Sequence, residues 1–125
     1  MVIYSDELGT SVSVTTADVE ITGSPYSPLA SGRLIQVKLI AVADAATGLI
    51  EGVTATLSSP QWGVPVTVSV AGGGIRTAPA FPIPIGVQNC DVPIETGVNL
   101  KIVLRNVTGD TPVTPTYQVI GVFES

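Results

Sequence analysis

Three features of the 125-residue sequence predict an all-β fold, an antiparallel β-sandwich. Apolar and polar residues alternate with period two over several short stretches, which sends one set of side chains inward and the other outward. Val, Ile and Thr dominate and no helical periodicity is present; β-branched residues suit a pleated, half-buried surface. Gly and Pro recur at short intervals as turn signals between these stretches.

The elements follow in chain order. Residues 1–10, MVIYSDELGT, carry two acids and no basic residue. They have neither the basic region nor the apolar run of a signal peptide, so a protein made and kept in a cytoplasm is expected. Residues 11–15 and 18–22 are short alternating pieces, and 23–28 read as a turn. Residues 34–43, LIQVKLIAVA, are apolar on both faces apart from Gln36 and Lys38. A strand covered twice has this pattern. In a sandwich only one face of a strand meets the core, so the other needs a loop, an N-terminal arm or a neighbouring subunit.

After a turn at 45–48, Val53, Ala55 and Leu57 alternate with Thr54, Thr56 and Ser58, and a second turn is expected at 58–63. In residues 64–70, VPVTVSV, the valines Val64, Val66, Val68 and Val70 are expected inward, with Pro65, Thr67 and Ser69 outward. The stretch AGGGIRT, 71–77, has the glycines of a phosphate loop but is followed by APAFPIP, which cannot form the helix such a loop needs; a hairpin or loop tip is the better reading. Pro79, Pro82 and Pro84 then give up ladder donors, which suits an edge strand or a polyproline-like crossover and blocks uncontrolled edge pairing. Phe81, Ile83 and Ile85 would share one face there, either on the chain's own core or as a stiff apolar strip against a neighbour. A turn at 95–97 precedes VNLKIVL, 98–104, with Val98, Leu100, Ile102 and Leu104 inward. Beyond a turn at 108–112, residues 117–123, YQVIGVF, are again apolar on both faces. The runs between turns number about eight to ten, and a single jelly roll of about eight strands in one domain, 1–125, fits them best.

Composition says where the apolar surplus can go. Hydrophobic residues are 45% of the chain and charged residues 12%, about half the usual charged share. No run approaches the ~18 apolar residues of a membrane helix, so the surplus is left for the core or for other subunits. Net charge is −5, and Arg33, Lys38, Arg76, Lys101 and Arg105 are scattered. Neither nucleic acid nor an anionic membrane is an expected partner, since both need clustered bases.

Catalytic chemistry is scarce. The sequence has no histidine, which removes the commonest general base and metal ligand. Cys90 stands alone, so no internal disulfide and no cysteine-rich zinc site can form, and a reduced, unreactive thiol is expected. The acids fall mostly at turns and strand ends. None is marked as a glycosidase pair or an EF-hand loop, and Asp44 and Asp110 read as turn-formers. Asn106-Val107-Thr108 has the form of a glycosylation sequon and, with no secretory signal expected, reads as a chance match. No catalytic residue, metal or cofactor is expected. Trp62, between turn residues, could be a core plug, a sugar-stacking platform or an interface anchor; aromatics are only 5% of the chain, which favours core or interface.

With VPVTVSV, VNLKIVL and the two-sided LIQVKLIAVA in place, the chain resembles single jelly-roll virion proteins, the small capsid, vertex or decoration proteins of phages and archaeal viruses. The resemblance implies a non-enzymatic virion subunit made in the host cytoplasm. It would form a homo-oligomer, a trimer or pentamer, and meet other capsid proteins. The acidic residues 1–10 depart from the basic arms of genome-contacting capsid proteins and favour an outer or vertex role. Trp62, Phe81, Ile83, Gln36 and Lys38 are the candidate interface residues. The alternative is a ligand-binding β-sandwich, such as a carbohydrate-binding module or a surface-filament subunit.

Overall fold

The computed structural model describes residues 2–10, 19–42, 49–50, 53–70, 74–75, 82–106 and 116–125. Among them are ten strands and no helix. They are β1 (Ile3–Thr10), β2 (Val19–Glu20), β3 (Gly32–Val42), β4 (Leu49–Ile50), β5 (Val53–Ser58), β6 (Val66–Val70), β7 (Gly74–Ile75), β8 (Pro82–Ile94), β9 (Lys101–Asn106) and β10 (Thr116–Glu124).

Eight of these form two four-stranded antiparallel sheets, ordered β1-β10-β3-β8 and β2-β9-β5-β6, and β4 pairs with β7 in a separate ribbon. With the ribbon set aside, first pairs with last, second with seventh, third with sixth and fourth with fifth. That is one long hairpin. The further pairings β10 with β3 and β9 with β5 roll it into two facing sheets, so the fold is the single jelly roll that the sequence predicts.

Both sheets close on one core. In β5, Val53, Ala55 and Leu57 are fully buried while Thr54, Thr56 and Ser58 are half-buried on the other face. Leu100, Ile102 and Leu104 come in from the β9 segment, and Leu34, Val37, Leu39, Tyr117, Val119 and Phe123 from β3 and β10. Leu34 and Val37 are an odd number apart, yet both are inward. The reason is a bulge: β10 pairs Val122 with Gln36 and Phe123 with Leu34, leaving Ile35 as an extra residue that restores the alternation.

Two inward assignments need correction. Val64 is 74% exposed. Pairing of β6 with β5 begins at Val66 opposite Leu57, because Pro65 has no N–H to extend the ladder and β5 itself ends at Ser58. Val98 is only half-buried, because its N–H closes a turn onto the Glu95 carbonyl (3.1 Å). Gly97 supplies the positive φ of 87° in that turn.

The proline segment enters β8, which is an edge strand, the place where missing donors cost least. Pro79 and Phe81 lie outside the described residues, as do the alternating piece 11–15 and the turns at 45–48 and 108–112. Gly74 and Ile75 of AGGGIRT form β7, opposite Ile50 and Leu49.

Strand β1 went unread in the sequence. It pairs with β10 from Ile3↔Glu124 to Thr10↔Gln118. Its inward residues include Tyr4, Asp6 and Leu8, so an acid interrupts the apolar pattern. Asp6 is tolerated because the buried Tyr26 hydroxyl donates to its Oδ2 at 2.6 Å. The Tyr26 ring stacks on Phe123 at 5.9 Å, and Tyr4 stacks on Phe123 at 5.2 Å. Gly121 makes room for this layer: a Cβ there would stand 2.8 Å from two ring carbons of Phe123.

Candidate assembly surface

Residues directly opposite in antiparallel strands share a face, so the register maps the outer side of the β1-β10-β3-β8 sheet row by row. One row is Ile3, Glu124, Arg33 and Pro93. The next is Ser5, Val122, Gln36 and Asn89, and the third is Glu7, Ile120, Lys38 and Val87. A fourth brings Thr10, Gln118 and Ile40 together.

Four apolar residues, Ile40, Ile120, Val122 and Val87, run through this face among polar and charged ones. Ile40, Ile120 and Val122 are half-buried, and Val87 is 53% exposed. Gln36 donates from Nε2 to Asn89 Oδ1 at 2.9 Å, and Gln118 donates from Nε2 to Glu7 Oε2 at 3.3 Å. Arg33 is paired, through Nε to Asp91 Oδ1 and through its terminal nitrogen to the Asp91 carbonyl at 3.0 Å; an exposed pair of this kind contributes at most about 1 kcal/mol. Lys38 is different. It lies half-buried between Ile120 and Val87 and makes no ion pair with the described residues.

The outer side of the other sheet has another chemistry. Thr56 stands opposite Thr67 on one side and Val103 on the other, and Thr54 opposite Ser69 and Arg105. Thr54 Oγ1 and Ser69 Oγ are 3.0 Å apart. A shallow depression of about 330 Å³ lies there, lined by Glu20, Ser58, Lys101 and Val103. Water covers such a face at no cost in unpaired groups.

The candidate residues therefore separate. Gln36 and Lys38 share the face of Ile120 and Val122. Trp62 lies in the β5–β6 connection, half-buried against the core, with its indole N–H donating to the Pro93 carbonyl at 2.7 Å. Ile83 is in β8, opposite Ala41, and Phe81 is outside the described residues. Glu7, Ile120 and Val122 complete the face and were not singled out individually. The two-sided runs 34–43 and 117–123 carried the signal for the last two; nothing local marked Glu7.

Cys90 is in strand β8, half-buried, with its thiol donating to the Leu34 carbonyl at 3.4 Å. Burial raises its pKa, and the Asp91 charge raises it further. The thiol is thus held in its less reactive form.

No protein-family model and no curated protein matches the sequence. Among solved structures, the chain is similar to part of a chain in the structure of infectious bursal disease virus, Gt strain, with 20% identity and a TM-score of 0.43. The likeness covers 97% of this chain and 32% of that one, so this chain spans about a third of the other's length.

Proposed function

We propose that the protein is a non-enzymatic structural subunit of a virion, a capsid, vertex or decoration protein, that works by assembling with copies of itself and with other capsid proteins. One observation carries the reading. The two strands that carry apolar residues on both faces, β3 and β10, are neighbours in the middle of one sheet. Their second faces add up to a single outward surface on which Ile40, Ile120 and Val122 are half-buried and Val87 beside them is 53% exposed. A monomer gains nothing from such a surface, and contiguous exposed apolar patches usually mark contacts with other proteins. The jelly roll also suits the role, because, of its four sheet edges, β2 and β6 are short and β8 carries prolines, which limits pairing out of turn.

The test is sedimentation of the purified protein over a wide concentration range, with electron microscopy of whatever forms. A closed homo-oligomer or shell, and incorporation into particles when the protein is produced with its capsid partners, is the expected result. A monomer at high concentration, alone and with those partners, would contradict the reading.

A further inference from the structure

The third row of the outer face has an order that bears on how a second copy would sit. Across the sheet it reads acid, apolar, base: Glu7 on β1, Ile120 on β10 and Lys38 on β3. Glu7 and Lys38 are two strands apart, about 10 Å at the usual strand spacing, too far to pair within one chain. Glu7 is exposed and only accepts from Gln118, and Lys38 makes no ion pair with the described residues.

We infer that this face is a two-fold interface with a second copy of the chain, stacked sheet on sheet about an axis parallel to β10. An isologous contact needs a patch that is its own complement, and this row is one. Rotation about β10 lays β1 of one subunit over β3 of the other. Glu7 then meets the partner's Lys38, and the pair occurs twice. Ile120 and Val122 meet their counterparts at the axis, and Ser5 comes opposite the partner's Gln36. Facing sheets pack with strands about 30° apart, so the match holds best near the axis, and both charged residues lie within one strand spacing of it. A half-buried lysine between Ile120 and Val87 thereby gains the carboxylate that its own chain withholds. A neutral partner surface would leave both charges unmatched, and a uniformly charged one would leave one of them so.

This inference rests on the self-assembly reading above and specifies one of its contacts. The test uses two charge reversals, Glu7→Lys and Lys38→Glu, each checked for folding by circular dichroism and studied by sedimentation equilibrium. Either alone places like charges opposite each other twice, and each is expected to weaken self-association by about tenfold or more. An equimolar mixture of the two variants restores one acid and one base at both cross-subunit positions, so the mixture should associate as the wild type does. Wild-type association should also weaken as ionic strength rises. If a reversal prevents folding, Glu7→Gln and Lys38→Met replace it, each expected to weaken association and reduce its salt dependence. A wild-type oligomer indifferent to these substitutions, or a mixture that stays dissociated, would overturn the two-fold contact and leave self-assembly standing. A wild type that never associates would overturn both.

Discussion

The two outer faces of this sandwich are built on the same backbone plan and carry opposite chemistry. On the β2-β9-β5-β6 side, Thr54, Thr56, Thr67 and Ser69 face outward. On the β1-β10-β3-β8 side, Ile40, Ile120, Val122 and Val87 do so, with Lys38 among them. Threonine and valine have almost the same shape and both suit a strand. Folding therefore does not decide between them at outward positions. What decides is the medium that covers the face: on the assembly proposed above, water on one side and protein on the other.

The comparison is sharpest when the core beneath both faces is left intact, so the largest expected effect sets the scale. Phe123 is fully buried and stacks on both Tyr4 and Tyr26. Phe123→Ala should cost about 3–5 kcal/mol by urea denaturation, with loss of folding and assembly together. Gly121→Val should cost about 1–3 kcal/mol from overpacking against that ring. A variant at Gly121 as stable as the wild type would mean that the aromatic layer has slack.

Tyr26→Phe should cost a similar amount, about 1–3 kcal/mol, because the Asp6 carboxylate is left without its donor. The same pair predicts a pH dependence. Burial, and then the hydrogen bond and charge of Asp6, raise the Tyr26 pKa from its ordinary 10.0. Below that value folded and unfolded chains both hold the phenol proton. Above it the unfolded chain releases the proton first, so stability falls as pH rises from 10.0 toward the raised folded value. Denaturation midpoints of wild type and Tyr26→Phe should converge as pH climbs through that window; a constant difference would contradict the account. The smallest effect belongs to Cys90→Ser, expected to leave assembly unchanged and to cost about 1 kcal/mol or less, since a thiol is a weak donor whose bond to Leu34 a hydroxyl can replace.

How much of this was legible in the sequence follows the same division between faces. Strand β5, and β9 apart from Val103, alternate because one side meets the core and the other faces away from it, and period two reports that contrast directly. In β3 and β10 the contrast weakens, because Ile40, Ile120 and Val122 lie outward among Gln36, Lys38 and Gln118, and the sequence could say only that a second cover is needed. The structure adds that the two strands are neighbours, which turns two runs into one surface. Strand β1 stayed hidden because Asp6 faces inward; only Tyr26, twenty residues along the chain, makes that position tolerable. Val64 was misread because an alternating pattern cannot show where a ladder stops. Gln36 and Lys38 stood out as polar interruptions of an apolar run. Glu7 could not, since its relation to Lys38 exists only through the register of β1 on β10 and of β10 on β3.

The central claim, that one outer face is covered by protein and the other by water, is tested most directly by exchanging their chemistry. One variant carries Ile120→Thr with Val122→Thr; the other carries Thr56→Val with Thr67→Val. All four positions keep β-branched side chains, so both variants should fold, as circular dichroism and denaturation can verify. Sedimentation velocity at matched concentration is the measurement. The account predicts that the threonine variant sediments as a smaller species, while the valine variant keeps at least the wild-type size. A threonine variant that sediments like the wild type, with the valine variant smaller, would contradict it.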